Sequence, residues 1–440
     1  MGSKCCKGQN RSTDTNLSFL LEKSGSIKKS KKNKADNEAG SKRSQLAQKS
    51  AGDESSAKEK GNIAARKMVE ITDFNSMCQA LNELAFDTYH KIVVGHETRN
   101  IVFSPLAIAV ALATLEKGAS GDTCDQIRRL FGSIVESPPN CKVDLLRTLV
   151  FLQDQLGGNC EKVLTIANGV FLGDHLAFNQ DFAADVSKCL GVHLGKVPFR
   201  RYPALSAHRV NRWAAEVTAD KVPGLFESLP SSTDLVLASV VQMRVIWMTP
   251  FEKAKTEKRP FYRINEEARK VHFMCRYDDA VQYAENERAQ VLELPCEEES
   301  LSVCFVLPRK RNGITMIEHM ATDELMRLMG STSECSVLTH IPRFTMRLQV
   351  DLKDVLCQMG WSNWTDLARM VDRGARLSEM VHETYIKVDE EGAKPAVPKP
   401  ADSLSSVHMF TADHPFMFAV VHKPTRVVVL MGNVDSVEEW

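Results

Sequence analysis

Residues 390–400 read Glu-Glu-Gly-Ala-Lys-Pro-Ala-Val-Pro-Lys-Pro, and the second part of the run is one that a central β-strand cannot hold. A central strand commits each N–H to a ladder, and Pro395, Pro398 and Pro400 have none. Each proline also restricts the residue before it. Lys394 and Lys399 are five apart, so in a regular strand they face opposite sides. Whichever register is chosen, one ammonium turns toward the inner face, and burying it unpaired costs several kcal/mol. Whatever sheets this chain builds, Lys394 to Pro400 belong on a surface.

The rest of the chain divides by pattern. Up to about residue 65 it is rich in Ser, Lys, Gly, Asn and Ala with a single Phe, too polar to bury a core. From 74 to 92, Phe74, Met77, Leu81, Leu84, Ala85 and Ile92 recur at helical spacing. Ser104-Pro105 is a helix start, and residues 106–115 are apolar on every side, which predicts a buried central helix. Thr123 and Gln126 match a capping box, and Gly132 is positioned to stop that helix. Strand patterns dominate later: 163–172, 235–247, 301–307, the alternation of Phe344, Met346, Leu348, Val350 and Leu352, and a hairpin of 416–421 with 427–434 turning near 423–425. Helices first and strands later, without βαβ alternation, predict an α+β fold with antiparallel or mixed sheets. The expected organisation is a disordered basic tail, 1–65, and one folded domain, 66–440.

Formal charge sums to zero but is uneven: residues 1–60 hold 14 Lys/Arg and 7 Asp/Glu, the remainder 42 and 49. No signal-peptide pattern is present, which leads to the expectation of a cytoplasmic, reducing location where most of the 12 cysteines stay free. The sequons at Asn10, Asn16 and Asn363 are then chance matches. The first residues, Met-Gly-Ser-Lys-Cys-Cys-Lys, offer Gly2 for myristate and Cys5 and Cys6 for palmitate, although position six departs from the usual Ser or Thr. One acyl chain anchors only marginally, and the cysteine pair or Lys23, Lys28, Lys29, Lys31, Lys32 and Lys34 supply a second signal for an anionic membrane. The competing reading is a solvated basic tail or an import patch. The sequence holds no GxSxG, P-loop, GxGxxG, HExxH or metal-type Cys/His spacing, so no catalytic role, cofactor or metal is expected, and no nucleic-acid partner.

From about residue 70 onward the chain resembles the serpins. The resemblance is carried by Asn100-x-x-Phe103-Ser104-Pro105, Thr123-x-x-Gln126-Ile127, Ile166-Ala167-Asn168 with Phe171, and Val210-Asn211-x-Trp213 with Thr218 and Lys221. It continues through Trp247-x-x-x-Phe251, Glu293-Leu294-Pro295, Pro342-Arg343-Phe344, Val381-His382, Glu390-Glu391-Gly392 and Phe410-x-Ala412-Asp413-His414-Pro415-Phe416. It implies three β-sheets, eight or nine helices and an exposed reactive loop between Gly392 and Phe410. Inhibitory serpins are suicide substrates: the cleaved loop inserts its hinge as a new central strand and distorts the protease.

Measured against that mechanism, the run that follows Gly392 opens with the small Ala393, but Lys394, Pro395, Pro398, Lys399 and Pro400 are unsuited to insertion, and the loop is a few residues short. Counting from Gly392 along the family's spacing puts the scissile bond at Ser406-Val407; counting back from Phe410 puts it near Lys399-Pro400, so no bond is assigned. The family's buried shutter cluster maps to Ser104 and His382, with Ala107 in place of its second serine and Ser239 in place of its asparagine. The expectation is a monomeric, non-inhibitory binding or scaffold module with a protein partner. The alternative is an inhibitor of an intracellular serine or cysteine endopeptidase.

Overall fold

The computed structural model describes residues 74–94, 100–131, 145–157, 163–263, 267–371, 374–393 and 407–438. Its elements run α1 (74–94), β1 (Ile101–Phe103), α2 (Pro105–Gly118), α3 (Gly121–Leu130), α4 (Leu145–Gly157), β2 (Leu164–Gly173), α5 (Gln180–Cys189), β3 (His193–Val197), α6 (Pro203–Val217) and β4 (Leu235–Trp247). They continue β5 (Glu257–Phe261), β6 (Arg269–Glu285), β7 (Ala289–Pro295), β8 (Leu301–Pro308), α7 (Ile314–Glu318), α8 (Thr322–Gly330), β9 (Ser333–Pro342), β10 (Phe344–Asp351) and α9 (Leu352–Gln358). The chain closes with β11 (Leu377–Gly392), β12 (His408–Thr411), β13 (Phe416–His422) and β14 (Val427–Val434). Apart from the first four residues of α1, all of these elements lie in one compact unit.

The α+β organisation is the one the residue patterns predict, with nine helices among the described residues. Five strands form one sheet in the order β10-β11-β4-β2-β3. The other two expected sheets share β6. One group pairs β5, β6, β9 and β12, and the other runs β6-β7-β8-β13-β14-β1, so by hydrogen bonding they make a single nine-stranded ladder. The pairing of β6 with β9 shifts register between Asp278 and Val281, letting one long strand serve both groups.

Helix α2 sits between the two ladders, against β14 on one side and β4 and β2 on the other. Its sequence is apolar all round, and 12 of its 14 residues are buried. Ser104 caps it, its hydroxyl accepting from the Ala107 N–H at 3.2 Å. On the opposite face of the five-stranded sheet, α6 buries Ala207, Val210, Trp213 and Ala214 against Val236, Ala238, Val240 and Phe171. Strand alternation therefore gives β4 one face toward α6 and another, with Ser239 and Val241, toward α2.

Two local expectations are corrected. Thr123 and Gln126 make no capping box: α3 starts at Gly121, and both side chains are drawn to a later segment. The Gln126 side-chain Oε1 accepts from the Ser362 N–H at 3.0 Å, and the Thr123 hydroxyl faces the Asn363 backbone carbonyl. Leu352 does not end β10 but opens α9, because the Asp351 carboxylate caps that helix through the Lys353 N–H at 2.8 Å. Gly132 lies outside the described residues. The closing hairpin turns at 423–426, where Arg426 takes the left-handed region (φ 58°) while its guanidinium grips the Glu293 carboxylate at 2.8 and 3.0 Å.

Candidate functional site

Strands β4 and β11 are neighbours and parallel, paired from Leu235↔Leu377 to Val245↔Val388 and again at Trp247↔Gly392. Parallel neighbours with nothing between them define a crack that a further strand would have to open. Ser239, His382, Glu390, Glu391 and Gly392 lie along it, with Ser104 and Ala107 packed against its middle.

Halfway down, Ser104, Ala107, Ser239 and His382 meet in one fully buried cluster. The Ser104 N–H donates to His382 Nε2 at 3.0 Å, so that nitrogen carries no proton. The Thr384 hydroxyl must then donate to the same nitrogen (2.8 Å), and Nδ1–H must donate to Ser239 Oγ (3.0 Å). The Ser104 hydroxyl donates to the Val429 carbonyl at 2.6 Å. His382 thereby connects β11 to β4, to the start of α2 and, through Ser104, to β14. Burial pushes its pKa down to about 3, keeping the ring neutral. Ala107 contributes its backbone N–H to Ser104 rather than a side chain. Asn168, the cross-strand neighbour of Ser239, brings a buried Oδ1 that has no hydrogen-bond partner among the described residues.

At the top of the crack the chemistry changes. Trp247 Nε1–H on β4 donates to the Asp389 carbonyl on β11 at 2.7 Å. The Glu390 carbonyl accepts from Phe251 N–H at 3.1 Å, and the Ala393 N–H donates to the Trp247 carbonyl at 3.0 Å. Glu390 is buried, its carboxylate accepting from the Thr256 hydroxyl at 2.8 Å with Arg343 3.7 Å away. Glu391 forms an ion pair with Arg244, both side chains about two-fifths exposed (40% and 41%). Burial raises the Asp389 pKa, but hydrogen bonds from Lys387 and the Glu391 N–H outweigh it and hold the carboxylate below its ordinary value. Arg244, Thr256, Arg343, Asp389, Glu390 and Glu391 line a cleft of about 730 Å³.

Gly392 is confined by its neighbours: a Cβ there would lie 2.6 Å from the Pro250 nitrogen and 2.7 Å from the Trp247 carbonyl oxygen, both backbone atoms. Ala393 is exposed, and Val407 is half-buried just before β12. Lys394, Pro395, Pro398, Lys399, Pro400 and Ser406 lie outside the described residues, as do Gly2, Cys5, Cys6 and Lys28, Lys29, Lys31, Lys32 and Lys34 of the tail.

Sequence reading missed Thr384, Trp247, Thr256, Arg244 and Arg343 as parts of this site. Thr384 is two residues beyond His382 and so shares its face, a signal that was available. The others arrive from distant strands and loops.

Comparison with known proteins decides the family. A sequence model described as Serpin (serine protease inhibitor) matches residues 79–437. The chain belongs to the serpin family. Among its serpin relatives are an uncharacterized serpin-like protein of Methanosarcina mazei, 29% identical over 382 residues (82% of this chain, 88% of the relative), and the leukocyte elastase inhibitor of Xenopus tropicalis, 27% identical (82% and 99%). Of the solved serpin folds, maspin superposes with a TM-score of 0.75 at 20% identity, covering 83% of this chain and all of maspin (100%). Uncleaved ovalbumin does so with 0.75 at 22% identity (82% and 99%). These similarities to solved serpins concern the fold. The eight cysteines among the described residues are free thiols, and no described helix is long and apolar enough to cross a membrane.

Proposed function

We propose that this serpin does not trap proteases and works as a cytoplasmic binding or scaffold module with a protein partner, its tail held at an anionic membrane surface through Gly2, Cys5, Cys6 and the basic cluster. The observation that carries the reading is the hinge sequence set against the crack it would have to enter. Above the polar cluster of Ser239, His382 and Thr384, the buried pairs flanking that crack on the same face are apolar, Met243 and Val245 on β4 and Ile386 and Val388 on β11. An inserted strand bearing Lys394 and Lys399 at opposite parity sends one ammonium among them. Pro395, Pro398 and Pro400 would leave ladder carbonyls without partners.

In this reading the contacts of Ser104, Ser239 and His382, and those of Trp247, Glu390 and Glu391, lock a fixed sheet rather than a sheet poised to open. Incubation with a panel of serine and cysteine endopeptidases followed by a denaturing gel tests it. Loop cleavage without a covalent complex is expected, and an SDS-stable band would establish the inhibitor instead, consistent with the elastase inhibitor among its relatives. Loop cleavage should also leave the melting temperature nearly unchanged. Membrane fractionation of Gly2→Ala and Cys5→Ser/Cys6→Ser variants tests the anchor, and partitioning unchanged in both counts against acylation.

A further inference from the structure

The folded body carries one basic surface that the trapping question leaves unused. Between Asp185 and Glu216 there is no Asp or Glu, yet the segment holds Lys188, Lys196, Arg200, Arg201, Arg209 and Arg212 with His193 and His208. Residues 61–440 as a whole lean the other way, with 42 Lys/Arg and 49 Asp/Glu. All eight of these basic residues are exposed. Lys188 is in the last turn of α5, and His193 and Lys196 are on β3, the edge strand of the five-stranded sheet. The arginines and His208 lie on α6 and the turn leading into it. The His193 ring stacks on Trp213 with centroids 5.8 Å apart, tying β3 to α6.

Helix α6 turns Ser206, Ala207, Val210, Trp213 and Ala214 inward, so 205, 208, 209 and 212 form its outward face. It begins against local rules. Its first turn has no acid, its N-cap Tyr202 makes no side-chain bond, and Arg200 and Arg201 stand directly before the positive end of the helix dipole. Arg200 is 3.5 Å from Asp234 and Arg212 is 2.7 Å from Glu216, whereas Arg201 and Arg209 have no ion-pair partner among the described residues. In their midst Tyr202 is 59% and Leu205 43% exposed. A protein interface has an apolar core depleted of charge, whereas here two apolar side chains stand among arginines. One tyrosine and one leucine ringed by arginines do suit a bilayer surface, where guanidinium groups meet phosphates and the tyrosine sits at headgroup level.

We propose that the outward face of α6, with the adjoining edge at β3, docks on an anionic membrane surface. The docking belongs to the folded body and does not depend on acylation of the tail. The test uses full-length protein carrying Gly2→Ala, Cys5→Ser and Cys6→Ser, sedimented with phosphatidylcholine vesicles with and without phosphatidylserine. R201Q/R209Q/R212Q is expected to weaken binding to the phosphatidylserine vesicles about ten- to a hundredfold, and Y202S/L205S about three- to tenfold, with R201K/R209K/R212K close to the parent. Melting temperatures of all three should match the parent, since the residues are exposed. K28Q/K29Q/K31Q/K32Q/K34Q in the same background isolates the tail, and an arginine variant that then binds like its parent overturns the proposal. So does retention of vesicle binding by Y202S/L205S together with loss of affinity for soluble polyglutamate in R201Q/R209Q/R212Q, which would mark the face as a site for acidic proteins.

Discussion

Halfway along the crack between β4 and β11, His382 and Ser239 meet out of reach of water; at its top, Arg244 and Glu391 meet half in solvent. The middle is held by neutral hydrogen bonds whose donors and acceptors are set by one tautomer, and losing any partner strands a buried group. The top is held by two kinds of contact. Backbone-directed bonds from Trp247 to Asp389 and from Phe251 to Glu390 are short and uncharged, while the charges around them are screened. One crack thus has a middle that answers to proton concentration in acid and an upper end that answers to salt.

The largest way to break that contrast is His382→Gln. It removes the ring that connects β11, β4 and Ser104, and should lower unfolding free energy by about 2–4 kcal/mol in urea titrations near neutral pH. The same variant sharpens the pH side. Unfolded histidine takes a proton near 6.5, whereas buried His382 resists until about 3, so protonation favours the unfolded chain. The stability is complete above about 6.5 and falls as pH drops toward 3, by up to roughly 5 kcal/mol if the shift acts in full. His422, held down to about 4 by burial, adds a second fall in the same direction. His382→Gln should flatten the acid limb to the share left by His422.

Gly392→Ala comes next, because its Cβ meets backbone that cannot swing aside, with an expected loss of about 1–3 kcal/mol by chemical denaturation. Ser239→Ala leaves the His382 Nδ1–H without an acceptor, an expected loss of about 1–2 kcal/mol that added salt does not change. Glu391→Gln should change stability by less than about 1 kcal/mol at low salt and by nothing measurable in molar salt. A salt-sensitive Ser239→Ala, or a salt-insensitive Glu391→Gln, would erase the distinction between the two ends.

Much of the scaffold is legible in residue pattern. The all-round apolar run 106–115 has nowhere to go but between layers, and it lies between the two ladders. Alternation in 344–350 and the apolar runs at 416–421 and 427–434 mark strands because periodicity is local. Capping fails as a guide at Thr123 and Gln126, where a segment more than 230 residues further on competes for both side chains (separations of 236 and 240). The candidate site is legible only in part. His382 and Ser104 stand out as polar residues in apolar surroundings, but their acceptors and donors do not.

By itself the sequence determined the family, the order of helices and strands, and the unsuitability of Lys394, Pro395, Pro398, Lys399 and Pro400 for a central strand, since each follows from side-chain chemistry or short-range spacing. Only the tertiary structure decided that His382 is neutral and which nitrogen holds its proton, that Trp247 bonds the Asp389 carbonyl, and that the arginines of α6 face outward around Tyr202 and Leu205. Those outcomes depend on backbone N–H and C=O groups, which are alike at every position in a sequence, and on which face of an element the packing leaves exposed. A partner of that kind is chosen by the fold.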